Sequence, residues 1–181
     1  MIYMFLANGF EEVEALAPLD LLRRAGCEVT TVGIGGDTIV GSHKIAVQVD
    51  IPDTMFRDAR PEMIILPGGM PGTKNLDASR TVDVALRAAA SSGAFLAAIC
   101  AAPMVLGKRG YLNGKTATCF PGFEEYLTGA DLAPDGVRVV TDGKVITAAG
   151  MGVAIEFGLA LVRVLKGDDA ANQLRAAVLA D

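Results

Sequence analysis

Cys100 is the side chain whose surroundings in the sequence best fit a chemical role. It follows the apolar segment 95–99 and precedes two alanines and Pro103. A buried strand followed by small residues and a proline predicts a sharp turn into a helix, a nucleophile elbow, because proline suits the first helical turn. Such a turn would place the thiol at a helix N-terminus, where free N–H groups favour a thiolate. The alternative is a core cysteine, since free cysteine is among the most buried residue types.

Three carboxylates, Glu11, Glu12 and Glu14, follow the first apolar run. Acidic residues near a helix start complement its dipole, which suffices to explain Glu11 and Glu12. Glu14 lies one helical turn from Glu11 and can face the strand ends where Cys100 is expected. A carboxylate beside a thiolate is favourable only when the pair shares a proton, so we predict a raised pKa for Glu14, a lowered pKa for Cys100 and a coupled titration. A metal site built from the three carboxylates is a weaker alternative.

A Pro-Gly-Gly segment ends a second buried run, at residues 67–69. It is explained either as a tight turn or as part of a site at the strand ends. In the second case the Gly69 N–H and the Ala101 N–H would stabilise negative charge on one oxygen, with Gly68 beside them.

The only histidine, His43, falls in a polar turn and is expected at the surface. A Cys-His hydrolase is therefore disfavoured, and a histidine-based metal site lacks ligands. No nucleotide-binding glycine motif is complete, so we expect neither a metal nor a cofactor. Of the other cysteines, Cys27 is predicted to be in the core, and Cys119 either in the core or lining a pocket.

The composition indicates a single domain over residues 1–181, with 51% apolar residues and a net charge of −5. That charge argues against nucleic-acid binding. Three cysteines without a CxxC spacing favour a reducing cytoplasm over a disulfide framework. The first residues lack the charge pattern of a signal peptide. The uncharged stretch 88–107 has the length of a membrane span, but a Ser-Ser-Gly turn and Pro103 interrupt it, so no membrane association is expected.

Strand-like and helix-like runs alternate along the chain, which predicts an α/β fold with a mostly parallel sheet covered on both faces. In such folds the site lies beyond the carboxyl ends of the strands. The predicted strands are 2–7, 28–33, 63–66 and 95–99, with hairpins at 38–40/45–49 and 137–141/145–148. The predicted helices are 11–25, restarted by Pro18, then 81–90, 154–165 and 170–179, the last capped by Asp168.

Four motifs occur in a fixed order along the chain: Gly9-Phe10-Glu11-Glu12-Val13-Glu14, Leu66-Pro67-Gly68-Gly69, Ala98-Ile99-Cys100-Ala101-Ala102-Pro103 and Phe120-Pro121-Gly122. Together they resemble the ThiJ/PfpI superfamily, in its DJ-one branch, and the resemblance extends from residue 2 to about residue 179.

The resemblance implies a flavodoxin-like three-layer sandwich, usually a homodimer. It matches Cys100 to the family's nucleophile and oxidation site, and Glu14 to its protonated glutamate. It matches Gly69 and Ala101 to the oxyanion-binding amides, and the Arg23-Arg24 pair to residues near the dimer seam. Relatives include glutathione-independent glyoxalases, deglycases, oxidative-stress sensors and chaperones, and some branches are peptidases or amidases.

The chain departs from the family at two positions. Many relatives have a histidine at the position of Phe120. Many also have an arginine at the position of Ala149, which lies two residues before Met151. Phe120 and Met151 are candidates for the pocket or the dimer seam. The missing histidine disfavours hydrolysis, and the missing arginine makes the pocket less cationic, which disfavours anionic substrates. The expected function is therefore cysteine-dependent conversion of a small carbonyl such as methylglyoxal. The alternatives are a redox-responsive protein with an oxidisable Cys100 and, more simply, a binding module with an unreactive thiol.

Overall fold

The structure, a computed structural model, describes residues 1–58 and 60–180. Its strands are β1 Ile2–Ala7, β2 Val29–Ile34, β3 Thr38–Val40, β4 Ala46–Gln48, β5 Ile51–Pro52, β6 Met63–Leu66, β7 Phe95–Ile99, β8 Thr116–Ala117, β9 Asp131–Leu132, β10 Val139–Asp142 and β11 Val145–Ala148. Its helices are α1 Glu12–Arg24, α2 Gly72–Ala78, α3 Arg80–Ser92, α4 Pro103–Gly107, α5 Ala154–Lys166 and α6 Asp168–Ala177.

The central sheet has the strand order β10-β11-β7-β6-β1-β2-β5. Its neighbouring strands run parallel except β10 and β11, which form an antiparallel hairpin. The chain adds β2 and β5 on one side of β1 and then continues at β6 on the other side. The direction in which the chain adds strands to the sheet therefore reverses between β1 and β6, and the carboxyl ends of β1, β6 and β7 lie side by side at this point.

Helices cover both faces of the sheet because alternate strand residues point to opposite sides. In β1, Met4 and Leu6 pack into the core beneath α1, α5 and α6. Phe5 and Ala7 pack into the core beneath α2, α3 and α4. The predicted α/β sandwich with a mostly parallel sheet is confirmed.

Several local predictions differ from the structure. Pro18 lies inside α1, so the helix is not restarted there; the proline removes one backbone N–H without ending the helix. Asp168 is the first residue of α6 and not its cap, and its carboxylate pairs with Arg163 at 2.8 Å. Helix α2 was not predicted, because its sequence begins with the turn-forming residues Pro71 and Gly72.

The uncharged stretch 88–107 is divided among the end of α3, strand β7 and helix α4. Within residues 1–58 and 60–180, none of the helices combines the length and the apolar character that crossing a bilayer requires.

The buried carboxylate of Glu12 ties the β3–β4 hairpin to α1. One of its oxygens accepts the backbone N–H of His43 at 2.7 Å, and the other lies 2.8 Å from Nδ1 of the same residue. His43 is otherwise exposed, as the sequence indicated, but its role as a partner of Glu12 was not predicted. Burial alone would raise the pKa of Glu12, but the hydrogen bonds from His43 and from the His43 and Ile45 amides lower it to about 2.

We predict that Glu12→Gln lowers the free energy of unfolding by about 2 kcal/mol at pH 7, because it removes a buried charge-assisted network. The folded-state pKa of Glu12 lies below its unfolded value of 4.5. The stabilisation is therefore complete above that value and is lost as the pH falls from about 4.5 to about 2.

Urea denaturation at several pH values measures this effect. Asp20→Asn is the matched control, because Asp20 lies on the same helix with its carboxylate exposed. An acid slope that is as steep in Glu12→Gln as in the wild-type protein would contradict the prediction.

Candidate active site

Cys100 occupies a tight turn between β7 and α4, with the left-handed backbone angle φ of 64°. A non-glycine residue rarely adopts this conformation unless its surroundings hold it there. Here both backbone groups of Cys100 are bonded to other segments: its N–H donates to the carbonyl of Ala148 and its carbonyl accepts the N–H of Phe120, each at 2.8 Å. The turn is therefore fixed from both sides.

Helix α4 begins at Pro103, as predicted, but it has only five residues. So short a helix contributes little dipole at its N-terminus. The local stabilisation of negative sulfur that we expected from a helix must come from individual peptide N–H groups instead.

Glu14 is 1% exposed, and its carboxyl group lies next to Cys100. One carboxyl oxygen accepts the Gly68 N–H at 3.0 Å. The Met151 amide and the Cys100 thiol also form hydrogen bonds that shift the pKa of the carboxyl group. Glu14 thus connects the start of α1 with the segments that follow β6, β7 and β11.

The close approach of these groups requires glycine at position 68. A Cβ atom there would lie 2.5 Å from the Glu14 oxygen and 2.6 Å from the Cβ of Cys100. The neighbouring Gly69 has φ of 88°, in the left-handed region that favours glycine. The Pro-Gly-Gly segment is therefore a tight turn and also a wall of the site.

Burial raises the pKa of the Glu14 carboxyl group to about 7, although its hydrogen bonds act in the opposite direction. The direction agrees with the sequence-based prediction. Burial, the Glu14 charge and the hydrogen bond to Glu14 raise the pKa of the Cys100 thiol to about 12. The predicted lowering for Cys100 is therefore wrong, because burial and the nearby carboxylate outweigh the amide donors.

The two groups titrate as a pair that keeps one proton between pH values of about 7 and about 12. In this range a thiolate forms when the remaining proton moves from Cys100 to Glu14. The amides of Ala101 and Gly69 favour that form, since their hydrogen bonds lower the pKa of Cys100. Their role as an oxyanion site stays a prediction.

The N–H of Gly68 has a different partner from the one predicted. It was grouped with the oxyanion-binding amides, but its N–H is directed at the Glu14 carboxyl group. It therefore positions the carboxyl group, because one N–H cannot serve both acceptors equally well.

Phe120 and Met151 were predicted to line the pocket, and both lie near Glu14. Their side chains are 48% and 53% exposed. The amide of Met151, which follows β11, donates to Glu14, and the sequence analysis did not predict this backbone contact. Met151 was a pocket candidate from the family resemblance alone, and the small residues next to a strand end at 150–152 were the signal in the sequence for this contact.

Two further candidates do not meet Cys100 within the described chain. Arg24 pairs with Asp20 at 2.6 Å and lines a groove with Ile155 on the outer side of α1 and α5. A position at a dimer seam stays a prediction.

Cys119 is 7% exposed and belongs to the core on the α3 side of the sheet. It also borders a cavity of about 360 Å³ together with Arg138 and Ala149, so both sequence-based alternatives for Cys119 apply.

The three glutamates at the start of α1 do not form a joint site, because Glu14 turns toward Cys100. Instead Glu11, Glu12 and His43 bring one donor atom each within 4.8 Å of one another. All three groups are already engaged, since Glu12 binds His43 and Glu11 accepts the N–H of Glu14 at 2.7 Å. A metal ion would have to replace these bonds.

Comparison with known proteins gives consistent similarities over nearly the whole chain. The model of the DJ-1/PfpI family matches residues 1–164. Protein dj-1beta of Drosophila melanogaster is 35% identical over 97% of this chain and 95% of its own length. The glutathione-independent glyoxalase DJR-1.2 of Caenorhabditis elegans is 30% identical over 91% of this chain and 87% of its own length.

Solved structures show the same similarity. The crystal structure of Drosophila melanogaster DJ-1beta superposes with a TM-score of 0.94 at 34% identity, covering 99% of this chain and 97% of that one. The structure of oxidized Toxoplasma gondii DJ-1 has a TM-score of 0.92 at 32% identity, covering 98% of this chain and 97% of that one.

We predict that alkylation of Cys100 by iodoacetamide accelerates as the pH rises through about 7, the value at which the pair loses its first proton. Glu14→Gln should abolish this step, because the amide cannot release a proton. It should also lower the thiol pKa from about 12, because it removes the charge and the hydrogen bond of Glu14.

Peptide mass spectrometry separates the rate at Cys100 from the rates at Cys27 and Cys119, which serve as internal controls. Identical pH profiles for the wild-type protein and Glu14→Gln would show that the two groups are not coupled.

Proposed function

Since the chain belongs to the DJ-1/PfpI family, we propose that it converts α-oxoaldehydes such as methylglyoxal to 2-hydroxy acids without glutathione. The observation that carries the proposal is the buried Glu14–Cys100 pair, which loses its first proton near pH 7 and keeps the second. Such a pair contains both a nucleophile and a proton carrier. The similarity to the Caenorhabditis elegans glyoxalase supports the same reaction.

In the first step, the Cys100 thiolate adds to the aldehyde carbon of the substrate. A carbon–sulfur bond forms, the carbonyl π bond breaks, and its electron pair becomes an alkoxide. The N–H groups of Gly69 and Ala101 stabilise the alkoxide, and the proton held by Glu14 converts it to a hemithioacetal. Glu14 is then a carboxylate.

In the second step, the Glu14 carboxylate removes the hydrogen of the former aldehyde carbon as a proton and returns a proton to the neighbouring carbon. The hydroxyl proton of the hemithioacetal passes to the former ketone oxygen. The former aldehyde carbon is oxidised and the ketone carbon is reduced, so no external oxidant or reductant is needed. The product is a thioester of the 2-hydroxy acid on Cys100. Water hydrolyses the thioester and releases the acid and the thiol.

One carboxyl group is sufficient for these proton transfers, so the reaction does not need a histidine at position 120. Peptide or amide hydrolysis is less well supported, because Phe120 cannot serve as the additional proton relay that a histidine at this position would provide.

We predict that the wild-type protein releases lactate from methylglyoxal in the absence of glutathione. Cys100→Ser and Glu14→Gln should each reduce kcat/KM at least 100-fold, because one removes the nucleophile and the other the proton carrier. Cys27→Ala is the matched control, since Cys27 lies at the opposite end of the sheet, at the start of β2. Lactate release that survives in Cys100→Ser would refute the proposal.

A second candidate function is a redox response at the same thiol. Among the three free cysteines, Cys27 and Cys119 are buried and only Cys100 is partly exposed. The similarity to a Toxoplasma gondii DJ-1 described as oxidized supports this alternative. Two equivalents of peroxide would convert the thiolate first to a sulfenate and then to a sulfinate, with loss of two waters.

We predict that mild peroxide adds two oxygen atoms to the intact protein and that both are located on Cys100. Glu14→Gln should slow the reaction near pH 7, since it removes the titration step that makes the thiolate available. Tandem mass spectrometry identifies the modified residue. Preferential oxidation of Cys27 or Cys119 would count against this function.

A further inference from the structure

Phe120 presents an aromatic ring at the edge of the Glu14–Cys100 site. Its backbone N–H binds the carbonyl of Cys100 at 2.8 Å, which fixes the residue next to the reactive turn. Its side chain is nevertheless 48% exposed. A single exposed aromatic residue is common in proteins, so exposure alone carries no argument.

Phe120 and Glu14 both lie close to Gly150. A Cβ atom built at Gly150 would lie 3.3 Å from Cδ2 of Phe120 and 4.0 Å from a carboxyl oxygen of Glu14. The ring of Phe120 and the carboxyl group of Glu14 therefore both border Gly150, and the ring lies so close that even a methyl group at position 150 would press on it. Met151, the next residue, is 53% exposed and contributes its amide to Glu14.

Within residues 1–58 and 60–180, no cation is among the groups that shift the pKa of Glu14 or Cys100. A substrate with a negatively charged substituent would gain little electrostatic stabilisation there. An uncharged planar substituent can contact the ring of Phe120 and the thioether of Met151, both of which are favourable partners for an aromatic group.

We propose that Phe120 is a specificity-determining residue that makes aryl-substituted α-oxoaldehydes better substrates than methylglyoxal. The inference rests on the proposed function, since it names the substituent that this reaction accepts. The substituent starts three bonds from the sulfur in the Cys100 adduct. It lies against the exposed part of the Phe120 ring, beside Gly150.

The test compares phenylglyoxal with methylglyoxal as the ratio of their initial kcat/KM values. Phe120→Ala should lower this ratio about five-fold, the size of one aromatic contact. Val84→Ala is the matched control, because Val84 is 49% exposed and lies on α3, where it borders a groove with Phe56 and Arg80. An unchanged ratio in Phe120→Ala overturns the inference and leaves the proposed function intact.

Gly150→Ala tests the position of the substituent independently. The added methyl group would press on the Phe120 ring at 3.3 Å and displace it, so the ratio should fall as in Phe120→Ala. Gly152→Ala serves as its control, because a Cβ atom there meets nothing within 4 Å. Loss of activity toward both substrates in equal measure would show that the methyl group disturbs Glu14 and that the substituent lies elsewhere.

A binding measurement decides the inference even if the wild-type protein turns over neither substrate, which would refute the proposed function. Each aldehyde protects Cys100 from iodoacetamide by forming a reversible adduct, and its half-protecting concentration is the readout. Tighter protection by phenylglyoxal that weakens about five-fold in Phe120→Ala supports the inference. Equal loss of protection with both aldehydes overturns it.

Discussion

The burial of the Glu14 carboxyl group is the constraint around which the site is organised. A carboxyl group with almost no contact with water is costly unless its hydrogen-bonding atoms are satisfied. Three segments satisfy it here, the turns after β6, β7 and β11, while α1 carries the residue itself. The switch point of the sheet is the place where these segments can meet. The topology therefore determines which residues surround the carboxyl group before any chemistry is considered.

The same burial changes the meaning of a reactive cysteine in this protein. An exposed cysteine at a helix N-terminus becomes a thiolate by losing its proton to water. Cys100 instead exchanges a proton with Glu14, because both groups are largely shielded from solvent and one negative charge is tolerated where two are not. The position of one proton then decides which group is the nucleophile and which is the acid. The amides of Gly69 and Ala101 favour the proton on the carboxyl group, although burial of the thiol outweighs them.

Periodicity and turn residues were sufficient to predict the parallel sheet, since the strands 63–66 and 95–99 are short apolar runs with clear stops. They also predicted that Glu14 would face Cys100, because helical spacing selects a face. They could not predict the sign of the Cys100 pKa shift, which depends on how deeply the thiol is buried. Nor could they predict the partner of Glu12, which lies two positions before Glu14: its contacts with His43 lower its pKa to about 2, while burial raises that of Glu14 to about 7. Local sequence does not encode which partner a buried carboxylate will find across the fold.

The left-handed backbone of Cys100 has a consequence for how this chain can change. Glycine adopts that conformation without steric conflict, so the fold alone would accept glycine at position 100 more readily than a residue with a Cβ atom. At this one position, conformational stability favours glycine, whereas the proposed chemistry requires cysteine. Selection for thermal stability alone would therefore favour replacing Cys100 by glycine, which would keep the fold and remove the nucleophile.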